Sequence, residues 1–257
     1  MKNIFKKLLS FSILGLICLS CSNEDLIPLY GEQTAGKIVI RSYNALQDSV
    51  YITINGKKLE IGEHTAFIKK IEKDHEFVFD KNEVKNINIV NQVSGDILHS
   101  YTFTAANPID TLSFYHKQGI WIDNVLSSRP GTLSGTGKAG YRFIFPTLNR
   151  YSASGYNGSI DAIIRKPNGQ VLGIAENITK QGFSNFVEFA FSPPPLLNVE
   201  LVKHGTTESY ISGQQVIVQM VMQNNKSKLI VLDEKANESG TFSGVEGTIN
   251  LVDHFVF

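Results

Sequence analysis

Six histidines (His64, His75, His99, His116, His204, His254) are scattered along the chain. No two of them stand three or four residues apart, the spacing that turns imidazoles on one helix face toward a metal. One sits between carboxylates, Asp74-His75-Glu76, a set able to hold a cation or to tune a proton transfer. Neighbouring residues of a strand point to opposite faces, so a solvated turn is expected there and not a site. Gly135-Thr136-Gly137-Lys138-Ala139-Gly140 fits G-x-G-x-x-G, but phosphate recognition needs those glycines between a strand and a helix N-terminus. Here a Ser/Gly-rich stretch precedes, a strand pattern follows, and Ala139 replaces the hydroxyl residue with which a P-loop holds magnesium. Nucleophile-elbow, H-E-x-x-H and EF-hand patterns do not occur. No catalytic residue, metal site or cofactor is therefore expected, although carboxylate pairs of the glycosidase kind obey no sequence spacing.

Recognition chemistry has a better footing in Asn149-Arg150-Tyr151-Ser152-Ala153-Ser154-Gly155-Tyr156-Asn157-Gly158. Tyrosine offers a rigid face with a polar tip, while Ser, Asn and Gly offer adaptable hydrogen bonds. Asn149, Tyr151, Tyr156 and Asn157 are the candidate ligand-binding residues, for a sugar or a peptide. The competing expectation is a long hairpin loop with its tyrosines folded back onto the sheet. Trp121, the only tryptophan, is expected to pack between the two halves of the chain.

Strands must position these residues. Short runs rich in Val, Ile, Phe, Tyr and Thr recur between Asn, Gly, Asp and Pro, with no sustained helical period beyond the N-terminus. Val50-Tyr51-Ile52-Thr53-Ile54 alternates with period two and is closed by Asn55-Gly56, a strong hairpin signal, with a return strand expected over Lys58-Leu59-Glu60-Ile61. Further strands are expected at Phe77 to Phe79, Ile87 to Val90, His99 to Thr104 and Thr111 to Tyr115. A turn of helix is expected near Trp121 to Leu126. The Ser/Gly-rich segment 127–140 reads as a linker. Beyond it come runs at Tyr141 to Phe145, Ile160 to Ile164, Val171 to Ala175, Phe186 to Phe191, Val199 to Val202, Val216 to Met222, Leu229 to Leu232, and a last strand from Thr248 to Phe257. Ser192-Pro193-Pro194-Pro195 must bridge strands at a rim, because proline lacks a ladder donor. The fold class is all-β, two immunoglobulin-like antiparallel β-sandwich domains over 37–126 and 141–257.

The N-terminus speaks of location. Lys2, Lys6 and Lys7 precede an apolar run, Leu8 to Leu19, well short of the roughly 20 residues a spanning helix needs, and a cysteine follows at 21. This is a secretory signal over 1–20, ahead of a tether over 21–36. Without the leader's three lysines, 24 basic residues become 21 against 24 acidic, a balance with no basic field for nucleic acid. Both cysteines, Cys18 and Cys21, lie at the leader, so disulfides and thiolate sites are excluded from the folded part. Sixteen Phe and nine Tyr can supply the core instead.

Leu19-Ser20-Cys21 resembles the lipobox of bacterial lipoproteins, although Cys18 stands where that family usually carries Leu. The resemblance implies acylation of the Cys21 thiol. The acidic pair Glu24-Asp25 behind Ser22-Asn23 resembles the export tag of Bacteroidetes surface lipoproteins, implying the outer membrane's outer leaflet. Asp48-Ser49-Val50 and Asp110-Thr111-Leu112 match the pattern those bacteria use for O-glycosylation, making Ser49 and Thr111 candidates. The turn-bearing stretches Ile52 to Leu59 and Ile163 to Leu172 give the halves a shared plan, similar to tandem-sandwich surface lipoproteins including the family DUF4397. Together these imply a lipid-anchored, non-catalytic surface protein that binds an extracellular glycan or protein. The alternative is an envelope or pilus assembly subunit engaging partners by edge-strand pairing.

Overall fold

The computed structural model describes residues 33–60 and 66–257. The leader, Cys21, most of the tether, Ile61 and His64 lie outside them. Among the described residues, the first half forms nine strands: β1 (Thr34–Asn44), β2 (Val50–Ile54), β3 (Lys57–Lys58), β4 (Lys69–Phe79), β5 (Val84–Asn91), β6 (Ile97–Thr104), β7 (Ile109–Leu112), β8 (Phe114–Lys117) and β9 (Ile120–Asp123). One sheet runs β4-β1-β8-β9 with β7 also on β1, and the other runs β3-β2-β5-β6. Eight strands follow: β10 (Lys138–Ile144), β11 (Ile160–Arg165), β12 (Val171–Ile178), β13 (Val187–Ala190), β14 (Leu196–Lys203), β15 (Ile217–Val221), β16 (Lys226–Ala236) and β17 (Phe242–Asn250). They form the sheets β13-β10-β16-β17 and β12-β11-β14-β15. The protein is all-β and sandwich-like, as its alternating patterns foretell.

Alternation sends one face of each sheet inward. Ile38, Ile40, Ile52, Ile87, Ile89 and Phe114 meet in one core, and Tyr141, Phe143, Ile164, Val199, Leu201 and Leu232 in another. A third cluster joins them: Tyr115, Ile120 and Ile122 from the first half pack with Ile144, Val231, Leu251 and Phe255 from the second. Strand β16 is consequently buried on both faces from Leu229 to Glu234. Not all pairing is antiparallel, since β1 runs parallel to β7 and β8, and β10 parallel to β16.

Several boundaries differ from the sequence reading. β1 begins inside the expected tether, and β10 begins inside the expected linker. The linker is pinned by neighbours: Phe186 lies so close to Gly131 and Gly140 that a Cβ on either would stand 2.2 Å from its ring. Glu188 accepts from the Lys138 ammonium (2.5 Å) and from Ser134, and these bonds hold its carboxyl down to about 2. The Asn55-Gly56 turn forms with both φ angles positive, but its return strand is only Lys57–Lys58. Asp74-His75-Glu76 is no turn; it lies within the edge strand β4, where Asp74 pairs with Lys37 and Arg41, each at 2.8 Å. The run Thr111 to Tyr115 breaks at Ser113, because the buried Ser42 hydroxyl enters the ladder, donating to Leu112 O (3.3 Å) and accepting from Phe114 N (3.1 Å). The chain does not finish as a strand: β17 stops at Asn250, and a 3₁₀ turn over Leu251–Asp253 swings Phe255 into the joining cluster. Another 3₁₀ turn, Val125–Ser128, stands where helix was expected, but Trp121 belongs to β9. The triple-proline segment does bridge β13 and β14, with Lys166 Nζ donating to Pro194 O at 2.7 Å.

Candidate functional site

The segment from Leu148 to Gly158 leaves β10 and enters β11 without regular structure, and its shape is set by one carboxylate. Glu234 on β16 is 1% exposed. It accepts backbone N–H bonds from Asn149 (3.0 Å), Tyr151 (2.7 Å) and Ser152 (3.1 Å), and hydroxyl bonds from Ser152 (2.7 Å) and Tyr210 (3.0 Å). A buried carboxylate persists only when so satisfied. Burial, then the Glu234 charge beside it, pushes the Tyr210 phenol well above its usual range. The loop closes with left-handed backbone at Asn149 (φ 63°), Ala153 (φ 46°) and Gly155 (φ 71°), costly for Ala and maintained by its surroundings.

The four sequence-derived residues separate in role. The Asn149 amide is spent inside the loop, donating to Tyr156 O at 2.6 Å and accepting from Ser154 Oγ at 2.5 Å. The Tyr156 hydroxyl donates to Ser159 O at 3.0 Å, and its ring crosses Gly158, where a Cβ would meet that hydroxyl at 2.3 Å. Tyr156 is thus folded back, in line with the competing expectation, yet one side of it, together with Asn149 and the exposed Asn157, lines a concavity of about 310 Å³. Tyr151 does not line it; 39% exposed, it lies beneath the Arg150 guanidinium, 6.0 Å above its ring. Arg150 also donates to Gly119 O in the β8–β9 turn, tying the loop to the other sandwich.

A second concavity, about 650 Å³, opens between the halves. Its first-half wall carries His99 of β6 with Trp121 and Asp123 of β9. Trp121 stacks on Phe114 (4.6 Å) and His99 (4.7 Å), so it packs into the first sandwich while lining the cleft, a correction to its expected place in the junction. Asp123 Oδ1 accepts from Trp121 Nε1 (2.8 Å) and from the Tyr101 hydroxyl, and its Oδ2 lies 3.3 Å from His99 Nε2. Burial, then the bond to Asp123, drives the Tyr101 phenol far above its usual range. The exposed Lys180 and Gln181, in the turn after β12, line both concavities.

Elsewhere Asp161, buried at 4% exposure, accepts from His204 Nδ1 (2.8 Å), Asn177 N (3.0 Å) and Gly205 N (2.9 Å). These bonds hold the turn that follows β14 against β11 and β12. Of the modification candidates, Thr111 is exposed but lies within β7 rather than at its start, and Ser49 is half-buried just ahead of β2.

No protein family matches the sequence, nor does any curated protein. Among solved structures, one similar chain is CBMbc, a family CBM26 module of Eubacterium rectale Amy13K crystallised with maltoheptaose, at 10% identity over 82% of this chain and 93% of that one, with a TM-score of 0.22. So low a score lends support neither to the fold nor to a ligand.

Sequence reasoning passed over Glu234, His99, Asp123 and the Lys180-Gln181 turn. Glu234 was within reach: extending the Leu229 to Leu232 strand by two residues puts it on the inward face of Ile230 and Leu232. Nothing local marks the others, which meet only because separate sheets converge.

Proposed function

We propose that this is a lipid-anchored, surface-exposed, non-catalytic protein that binds an extracellular glycan. The observation that carries the reading is the 149–158 loop, fixed around Glu234 before any ligand arrives, with Asn157 and part of Tyr156 lining an open concavity. A loop already fixed loses little conformational freedom on binding. Amide and hydroxyl groups beside an aromatic surface suit a ligand that alternates hydroxyls with C–H faces. Anchoring through Cys21 remains a reading of the leader. Single acyl chains hold marginally, and the two or three of a bacterial lipoprotein hold durably. Kinship with tandem-sandwich surface lipoproteins and glycans on Ser49 and Thr111 belong to the same proposal.

Co-sedimentation of the native protein with insoluble polysaccharides tests the binding half. Retention on at least one polymer, weakened by Asn157→Ala and Tyr156→Ala, is expected; no retention on any refutes it. Protease shaving of intact cells tests the address, and a Cys21→Ala protein should leave the membrane pellet.

A second reading has its own observation. β6 is an edge strand of eight residues without Lys, Arg, Asp or Glu, whereas the edge strand β4 is laced with Lys, Glu and Asp that discourage pairing. An assembly subunit would use β6 for strand addition and co-purify with an envelope protein while ignoring glycans.

A further inference from the structure

The two concavities are neighbours with a common rim. Asn157 and Tyr156 line one, Asn124 and Trp121 line the other, and the Lys180-Gln181 turn lines both. Resting on the glycan reading above, we infer that the ligand is an extended chain of several sugar units laid across the Lys180-Gln181 turn, in contact with both sandwiches, and not a single terminal sugar. The combined space exceeds what a monosaccharide fills, each concavity alone being of the order of a small-molecule pocket, about 300–1,000 Å³. Exposed side-chain amides stand along the whole path, at Asn157, Gln181 and Asn124, and each offers a donor beside an acceptor, the pattern that neighbouring hydroxyls on a sugar ring present in return.

The path is also built to stay in register. Arg150 reaches across to Gly119, the Tyr115, Val231 and Phe255 cluster joins the sandwiches, and the Asp123 oxygens are occupied by Tyr101, Trp121 and His99. Beside that engaged carboxylate, the path presents exposed amides and one exposed ammonium, Lys180. The competing occupant is an extended peptide, which would add to the free backbone edge of β6 and leave the Asn157 end of the path unused.

The test is a length series. Disaccharide, tetrasaccharide and octasaccharide members of whichever neutral glucan, xylan or mannan the protein retains are titrated into the full mature protein. Affinity should rise by about a hundredfold or more from the shortest to the longest, as expected when linked subsites fill together. Asn157→Ala and Asn124→Gly change exposed residues at opposite ends, and glycine keeps the left-handed backbone that Asn124 adopts (φ 52°). Each should weaken the octasaccharide, and Lys180→Ala/Gln181→Ala should do so most. Affinity that saturates at the disaccharide, or that answers to only one end, overturns the spanning chain while leaving glycan binding intact. Failure of every glycan to bind, or preference for an extended peptide, overturns both.

Discussion

At the scale of single residues, Glu234 is the side chain on which the loop depends. Replacing it by Gln keeps the shape but turns one acceptor into a donor facing the backbone N–H groups of Tyr151 and Ser152. A loss of about 1–3 kcal/mol is expected, read by chemical denaturation, because buried donors are left unsatisfied. The histidines set the response to acid. Burial lowers the pKa of His116 and is the chief cause lowering those of His75 and His254, so each ring takes up a proton less readily in the folded state. The unfolded chain takes up these protons first, near the ordinary value of about 6.5, and stability falls as pH drops below that point. Melting temperature measured downward from neutral pH should fall in this window, and His116→Leu should flatten the slope. An unchanged slope would locate the sensitivity elsewhere. Little of this residue-scale wiring was legible beforehand: the loop's composition announced recognition, but the acceptor organising it stands some eighty residues away, at 234.

At the scale of elements, period-two alternation was readable wherever one face is buried and the other solvated, as in β2 and its Asn55-Gly56 turn. It failed in two circumstances. β4 carries charge on most positions because it is an edge, so its sequence mimics a turn. The chain's last residues look strand-like because they are apolar, yet their burial is sideways, against the joining cluster. The glycine-rich segment before β10 was legible as irregular chain, but not as a clasp around Phe186. Gly140→Ala should cost about 1–3 kcal/mol, since the added methyl overlaps the Phe186 ring and strand β10 is paired on both sides, with β13 and β16. Phe186→Ala combined with Gly140→Ala should recover part of that loss. If Gly140→Ala alone melts like the parent, the clasp is not tight.

At the scale of the whole molecule, the sheets are local but their union is not: β10 with β16, and the cluster of Tyr115, Val231 and Phe255, bring together segments that no sequence window contains. Two cores joined by a buried apolar cluster should unfold as one cooperative unit by calorimetry. Phe255→Ala, expected to cost about 3–5 kcal/mol at such a site, should separate the transition into two. The same junction forms the cleft, and the cleft contains the only tryptophan, which makes its fluorescence a direct reporter. Titration of the mature protein with a retained polysaccharide should shift Trp121 emission saturably, with the same midpoint as binding itself. Binding that saturates while Trp121 emission stays unchanged would contradict a glycan laid across both sandwiches.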